Sequence, residues 1–286
     1  MIKNILKNRI IIIGSSGFIG NACSKIFKEN NIKFVSINSK KCNLLKKNSY
    51  KFLNKTIKNG DIVLFISAIA PCKNINELKK NLEMISPLIN ISKKIKISQL
   101  IYISSDAVYA DHKKKINEKS QVTPTSIHGI MHLSRENLLN IYFKNILTIV
   151  RPTLIYGSTD THDGYGPNKF SRLAKNNKNI EIFGQGEEIR DHVLIDDVAN
   201  LILLIIKKKF TGIFNAVSGN PISFLNIAKL IIKTFNSKSK VVYIKRSMPM
   251  PHNGYRCFDI SKIINKINFK PTKFIDGINN LKNIKL

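Results

Sequence analysis

Ile10-Ile11-Ile12-Ile13-Gly14-Ser15-Ser16-Gly17-Phe18-Ile19-Gly20 is the stretch that decides the fold of this chain. Four β-branched residues closed at once by glycine suit a short strand buried on both faces, because such a strand needs no polar side. The three glycines, spaced three apart, then have separate tasks. Gly14 permits a tight turn, Gly17 lets backbone N–H groups approach a ligand, and Gly20 lets the next helix pack closely on the strand. The N-terminus of that helix carries partial positive charge that favours a phosphate. Ser16, Phe18 and Ile19 lie in the same turn and are assigned to the site with the glycines. In the first strand-to-helix turn of an α/β chain, the pattern predicts a pyrophosphate cradle and a bound dinucleotide.

The elements on either side agree with that placement. The patterning predicts a helix over 18–29 and strands over 33–37, 62–67, 100–104 and 147–151. It also predicts helices over 76–93 and about 127–143. Short apolar strands alternating with helices make a doubly wound parallel sheet. From Gly157 the chain reads as loop-rich to residue 192, then as a helix over 196–207, a strand over 214–217 and a helix over 221–235 beginning near Ser223. Residues 1–156 are therefore expected to form a Rossmann-type, dinucleotide-binding domain. Residues 157–192 and 218–286 are expected to form a smaller substrate lobe at the C-terminal edge of the sheet, where open α/β folds bind ligands.

A dinucleotide site usually carries a carboxylate after its second strand to hold the ribose hydroxyls. This chain has Ile37-Asn38-Ser39-Lys40-Lys41 instead. With no carboxylate to repel it, a 2′-phosphate can be met by Ser39 and Lys40. NAD(P) is the expected cofactor, with a lean to NADP.

Gly14-x-x-Gly17-x-x-Gly20, Asp61 to Ala68, Tyr102-Ile-Ser104-Ser105-Asp106-Ala-Val-Tyr109, Arg151-Pro-Thr-Leu-Ile-Tyr156-Gly157, Gly184-Gln-Gly186, Arg190 to Ala199, Gly212 to Asn215 and Arg256 to Lys262 stand in order along the chain. Together they resemble the extended short-chain dehydrogenase/reductases, the sugar-nucleotide epimerases and dehydratases. The resemblance runs in order from about residue 10 to 275. It implies that 193–217 returns to the Rossmann sheet. It also implies that Ser105 is the catalytic hydroxyl beside the reacting substrate oxygen, with Asp106 following it as in the dehydratase and deoxysugar-reductase branches. Dehydratases place Glu next, where this chain has Ala107, which argues against a 4,6-dehydratase. Asn43 and Leu44 match the segment near the adenine, and Ser67, Ala68, Ile69, Ser104 and Pro152 complete the cofactor contacts with Asn38. Arg190 and Arg256 match arginines that contact the substrate diphosphate, where a forked guanidinium suits a pyrophosphate. Asn168, in the segment His162 to Lys169, is assigned to the substrate.

The same resemblance implies a Tyr and a Lys four residues apart on one helix, the tyrosine as acid/base and the lysine on the nicotinamide ribose. Here that register reads His128-Gly-Ile-Met-His132, secured by Pro124 before it and Glu136 after it. Three readings compete. In the first, His128 replaces the tyrosine as acid/base, near its ordinary pKa of roughly 6.5, and His132 holds the ribose. In the second, catalysis is lost and an NAD(P)- and nucleotide-sugar-binding regulatory protein remains. In the third, the two histidines ligate zinc, which the lack of a general-base Glu and the glycine-rich turn disfavour. No metal site is expected. Tyr109 to Lys113 repeats the Tyr-x-x-x-Lys spacing, but it runs into a charged loop and is read as a decoy. His192 is expected to pack, and His112 and His252 to lie on surface loops. The activity expected is an NAD(P)-dependent epimerase, reductase or dehydratase of a nucleotide-activated sugar, and the residues do not choose among the three.

Composition bounds the partners. The 286 residues carry 47 Lys+Arg against 18 Asp+Glu, a net charge of +29, yet only seven of the basic residues are arginine. A groove reader concentrates Arg for bidentate contacts, whereas these lysines are spread along the chain. No nucleic acid is therefore expected as a partner, and the surplus reads as a solvated lysine-rich surface. Cys23, Cys42, Cys72 and Cys257 form no CxxC pair and are expected to be reduced thiols. The apolar run at 10–13 ends too early for a signal segment, and 198–206 falls far short of the roughly 20 residues of a membrane span. A cytoplasmic protein without a membrane partner is expected, and a homodimer stays open.

Overall fold

A computed structural model describes residues 7–160 and 164–283; His162 and Asp163 of the expected substrate loop lie outside the described residues. The first half runs β1 (Ile10–Ile13), α1 (Phe18–Glu29), β2 (Phe34–Ile37), α2 (Ser49–Thr56), β3 (Ile62–Phe65), α3 (Ile75–Glu83), α4 (Ser86–Ser92), β4 (Gln99–Ile103), α5 (Ile127–Phe143) and β5 (Leu147–Pro152). It continues through β6 (Leu154–Tyr156), α6 (Pro167–Lys175), β7 (Ile180–Phe183), β8 (Ile189–Arg190), β9 (His192–Leu194), α7 (Ile195–Lys208) and β10 (Gly212–Ala216). The last elements are β11 (Ile222–Ser223), α8 (Phe224–Phe235), β12 (Val241–Ile244), β13 (Tyr255–Arg256) and α9 (Phe274–Asn280).

Two compact units result. The first comprises residues up to Ala110 together with Gln121–Pro152 and Ala199–Asn215. Its six-stranded sheet has the order β10-β5-β4-β3-β1-β2, with β1 parallel to both β2 and β3, in register Ile13 with Ile37 and Phe65. Every residue of β1, β3, β4 and β5 is buried, which is why these strands are continuous apolar runs rather than alternating ones. Chain order reverses between β1 and β3, and the glycine turn leaves the C-terminal end of β1 at that switch point, where open sheets part to admit a ligand.

The second unit comprises Asp111–Ser120, Thr153–Val198 and residues from Ala216 onward. It holds three small sheets, β11-β8-β13, β12-β7 and β6-β9, around a core that includes Tyr156, Phe170, Phe224 and Phe274. The segment 111–120, placed in the first domain by the 1–156 boundary, groups here instead. Ile116 bridges Phe258 and donates its amide to Cys257.

Other differences have local causes. The helix expected over 76–93 is two helices, because Ser86-Pro87 starts a new one with proline in its first turn. The segment 157–192 is less loop-rich than its glycines suggested, since α6, β7, β8 and β9 all lie there. Residues 109–113 are not helical, and Tyr109 is buried with its hydroxyl donating to Asn215, so Tyr109 to Lys113 is a decoy. All four cysteines are buried and free. Among the described residues no helix is long and apolar enough to cross a membrane.

Candidate active site

The glycine turn separates what the fold needs from what a ligand needs. Gly14 has φ +101°, and a Cβ there would stand 2.7 Å from the Ser67 nitrogen at the end of β3. A Cβ on Gly20 would lie 2.3 Å from the Gly14 oxygen. Both positions are closed to any side chain by the protein's own backbone. Gly17 is different: its φ of −76° suits any residue, and a Cβ would meet only the Gly14 oxygen at 3.6 Å. No internal packing requires this glycine, and the space it leaves lies at the N-terminus of α1, where a pyrophosphate is favoured.

A cleft of about 350 Å³ opens there, lined by Gly14, Ser16, Gly17, Ser39, Asn43, Leu44, Ser67, Ala68 and Ile69. Cys42, Leu45, Ile66 and Met84 also line it, and the sequence reading missed them. Phe18, Ile19, Gly20, Asn38, Lys40, Ser104 and Pro152 do not. Asn38 turns its Oδ1 to the Lys41 amide, the Lys40 side chain is exposed, and the Ser104 hydroxyl is committed to Glu136 at 2.5 Å. The far wall is braced by Asn81 of α3, fully buried, whose amide both accepts from the Ile69 N–H and donates to the Ile69 carbonyl.

At the start of α5, Ser126 caps the helix by accepting the Gly129 amide. A Cβ on Gly129 would stand 2.1 Å from the Ala107 carbonyl, so only glycine lets α5 lie directly on the short turn Asp106–Val108. Ser105 caps that turn, its Oγ accepting the Ala107 N–H at 3.2 Å. This contact brings His128 to the Ser105 turn. The His128 Nδ1 accepts the backbone N–H of Cys72 at 3.2 Å. One turn on, His132 is buried and shares a 2.7 Å hydrogen bond with the hydroxyl of Tyr102 from β4. The two imidazoles meet edge to face, with centroids 4.7 Å apart.

Burial drives both pKa values down. The Asp106 carboxylate partly opposes the shift at His128, whereas His128 and the Arg135 guanidinium deepen it at His132. Both rings are therefore neutral at pH 7. Arg135 is fully buried, with its guanidinium over the rings of Phe65 and Tyr102 and one N–H donated to the Ser67 carbonyl at 2.9 Å. It puts a cation behind the cleft wall, near the position whose lysine is missing. Arg135 belongs to no recognisable local motif, and the motif that contains Tyr102 gave that residue no role. Beneath them Glu136 receives both arms of Arg151 at 2.9 and 2.5 Å, a buried pair that ties α5 to β5.

In the second unit Arg190 and Arg256 are register partners on the parallel strands β8 and β13, and both are buried. Arg190 lies 3.0 Å from Glu188, and Arg256 lies 3.2 Å from Asp111. His252 is not a free surface residue, since its Nδ1 lies 2.5 Å from Asp111 and 3.2 Å from Arg256. Asn168 is turned inward, accepting the Gly157 amide and donating to Asp160. His192 packs between Phe224 and Phe274, and burial holds its pKa down to about 3. Among the described residues, no three His, Cys, Asp or Glu side chains converge as a metal-binding set.

Residues 10–216 match the NAD dependent epimerase/dehydratase family. The chain belongs to that family. Among the relatives of this epimerase/dehydratase chain is a dTDP-D-glucose 4,6-dehydratase of Dictyostelium discoideum, 29% identical over 268 residues. The match covers 78% of this chain and 61% of that longer protein. Its fold is similar to that of Thermus thermophilus UDP-glucose 4-epimerase in complex with NAD, with a TM-score of 0.84 at 17% identity, covering 96% of this chain and 98% of the other. It is also similar to Bacillus cereus UDP-glucuronic acid 4-epimerase in complex with UDP-glucuronic acid and NAD, with a TM-score of 0.82 at 22% identity and the same coverage.

Proposed function

We propose that this epimerase/dehydratase family member binds a nicotinamide dinucleotide through its first unit and acts on a nucleotide-activated sugar. Arg190 and Arg256 of the second unit would take the substrate diphosphate. The backbone left bare at Gly17 and the N-terminus of α1 hold the pyrophosphate, Ser39, Asn43 and Leu44 face the adenosine end, and Ser67 to Ile69 lead toward the nicotinamide end. When bound, the nicotinamide supplies hydride exchange at a sugar carbon. Ser105 and His128 then hold the sugar oxygen at which charge develops, and His132 and Arg135 support the cofactor side of the same helix.

The observation that carries this reading is the beginning of α5. The rings of His128 and His132 are in contact, and Gly129 seats the helix that carries them against the Ser105 turn, which supports reading them at the positions of the family's acid/base and ribose residues. A shell kept only for binding has no need of a pair of neutral imidazoles held at that turn. At the adenosine end no carboxylate follows β2 and Ser39 lines the cleft, so a 2′-phosphate is tolerated. Lys40, which would reward it, is not part of the lining, and NAD and NADP are expected to bind comparably.

The test combines calorimetry of the four nicotinamide dinucleotides with turnover of a panel of UDP- and dTDP-sugars. Replacing His128 by Phe is expected to abolish turnover while the cofactor still binds. Full activity in that variant would overturn the assignment of His128, and failure of every dinucleotide to bind would overturn the cofactor site.

A further inference from the structure

The Cys72 amide limits what His128 can offer. A backbone N–H only donates, so the ring nitrogen that receives it, Nδ1, carries a lone pair. A neutral imidazole has one N–H, which must then be on Nε2. No hydrogen bond among the described residues engages that Nε2. A tyrosine hydroxyl can both give and take a proton, but an imidazole held this way presents only a donor.

We infer that His128 is a fixed hydrogen-bond donor rather than a base, and that the site takes a carbonyl: a keto-sugar nucleotide, reduced with a reduced nicotinamide dinucleotide consumed as co-substrate. The inference rests on the reading of the α5 tip given above and names the substrate class of that site. A carbonyl oxygen is an acceptor throughout, and it becomes a stronger one as it takes on alkoxide charge. A neutral imidazole N–H is suited to that oxygen, and so is the Ser105 hydroxyl once its proton turns from the long 3.5 Å contact it makes to Asp106, its Oγ being held by the Ala107 amide. Beginning instead with a sugar hydroxyl requires a lone pair to receive its proton. At His128 that lone pair is spent on Cys72, and His132 is buried with its Nδ1 engaged by the Tyr102 hydroxyl. Asp106 is buried and accepts the Ser105 hydroxyl in a long 3.5 Å contact.

The balance of the step is simple. The carbonyl carbon gains a C–H bond with the electron pair of the C4–H bond of the reduced nicotinamide. The C=O π pair becomes a lone pair on oxygen, and the oxygen takes one proton from water. The sugar carbon is reduced and the nicotinamide oxidised. The reverse step follows the same path backwards, so the alcohol must first lose its proton to solvent. Its rate then rises about tenfold per pH unit, with no plateau set by a protein base.

Nitrogen-15 NMR of histidine-labelled protein at pH 7 reads the tautomer without any turnover. His128, assigned by the loss of its signals in His128→Gln, is expected to show a protonated Nε2 and a bare Nδ1; the opposite tautomer overturns the inference. Kinetics with dTDP-4-keto-6-deoxyglucose and NADH or NADPH provide the second readout. His128→Gln, which keeps an N–H at the same end, should retain turnover within about tenfold, whereas His128→Glu, an acceptor, should lose about 100- to 1000-fold. The opposite order, a plateau in alcohol oxidation above pH 7, or no carbonyl reduction by a protein that binds cofactor would each overturn it. If no dinucleotide binds, the proposed function itself fails, whatever the tautomer; if dinucleotides bind and Nδ1 is protonated, this inference alone fails.

Discussion

Arg190 and Arg256 face each other across β8 and β13 as register partners, two buried guanidiniums on adjacent parallel strands. Side by side they repel, and Glu188 and Asp111 offset that repulsion from outside the strand pair. A diphosphate, with two adjacent anionic groups, complements such a pair. Truncating either arginine to Ala should weaken UDP-sugar binding by about 10- to 100-fold, the effect of losing one charge-assisted hydrogen bond of roughly 1.5–3 kcal/mol. NAD(H) affinity should be unchanged. Calorimetry with each ligand checks this, and equal losses for both ligands would point to a general folding defect.

The glycine turn predicts a dissociation between stability and binding. Gly17→Ala meets no close atom and keeps an allowed φ, so thermal stability should change by less than about 1 kcal/mol while dinucleotide affinity falls. Gly20→Ala drives a methyl group into the Gly14 carbonyl and should cost about 1–3 kcal/mol of stability. Chemical denaturation beside cofactor titration separates the two effects. An unstable Gly17→Ala would mean that this glycine serves the fold.

The Glu136–Arg151 pair should be costly to halve and cheap to replace whole. Glu136→Leu leaves the Arg151 cation buried among β5 neighbours and should destabilise by about 3–5 kcal/mol. Adding Arg151→Met should recover most of that loss, because neither charge is then stranded. A urea-denaturation double-mutant cycle measures the recovery. Additive losses would contradict the view that the uncompensated charge is the main penalty.

Acid should weaken the fold before the carboxylates begin to titrate. His128, His132 and His192 all have folded-state pKa values below the ordinary 6.5, His192 at about 3. Above about pH 7 these rings are neutral in both states and contribute no pH dependence. As pH falls below about 6.5 the unfolded chain takes up protons that the folded chain refuses, so stability is lost by up to about 1.4 kcal/mol per pH unit for each ring. His192→Phe keeps a ring between Phe224 and Phe274 without a titrating nitrogen. Its melting temperature should fall less steeply than the wild type's between pH 6.5 and 5, and equal slopes would remove His192 as a contributor.

Much of the first unit is legible because its signals are local. Helices α1 and α5 have the ends their caps and apolar spacing predict, and β1 is bounded by the glycine that follows it. Helix α2 escapes notice because it buries only Ser49 and Leu53 and has no apolar stripe to read. The second unit is less legible for a related reason. Two- and three-residue strands such as β8, β11 and β13 are too short to display an alternation, and they exist only because distant segments pair with them. Gly17, Ser39, Asn43 and Ser67 to Ile69 were legible as candidates, and they line one cleft. Cys72, Asn81, Tyr102 and Arg135 were not, since each acts through a contact that no local pattern announces.

By itself the sequence determined the strand–glycine–helix opening, the dispersed lysine surplus with only seven arginines, and the i,i+4 spacing that sets His128 and His132 on one helix face. Those features depend on neighbours within a few residues, and backbone periodicity carries them. Only the tertiary structure decided that Arg135, Arg151 and Arg256 are buried inside so basic a protein, and that Asp111 joins Arg256 in the second unit. It alone decided that an amide 56 residues away occupies the Nδ1 of His128. That last contact determines which ring nitrogen holds the proton, because a hydrogen bond's direction follows from the partner, and the partner is chosen by how the chain crosses itself.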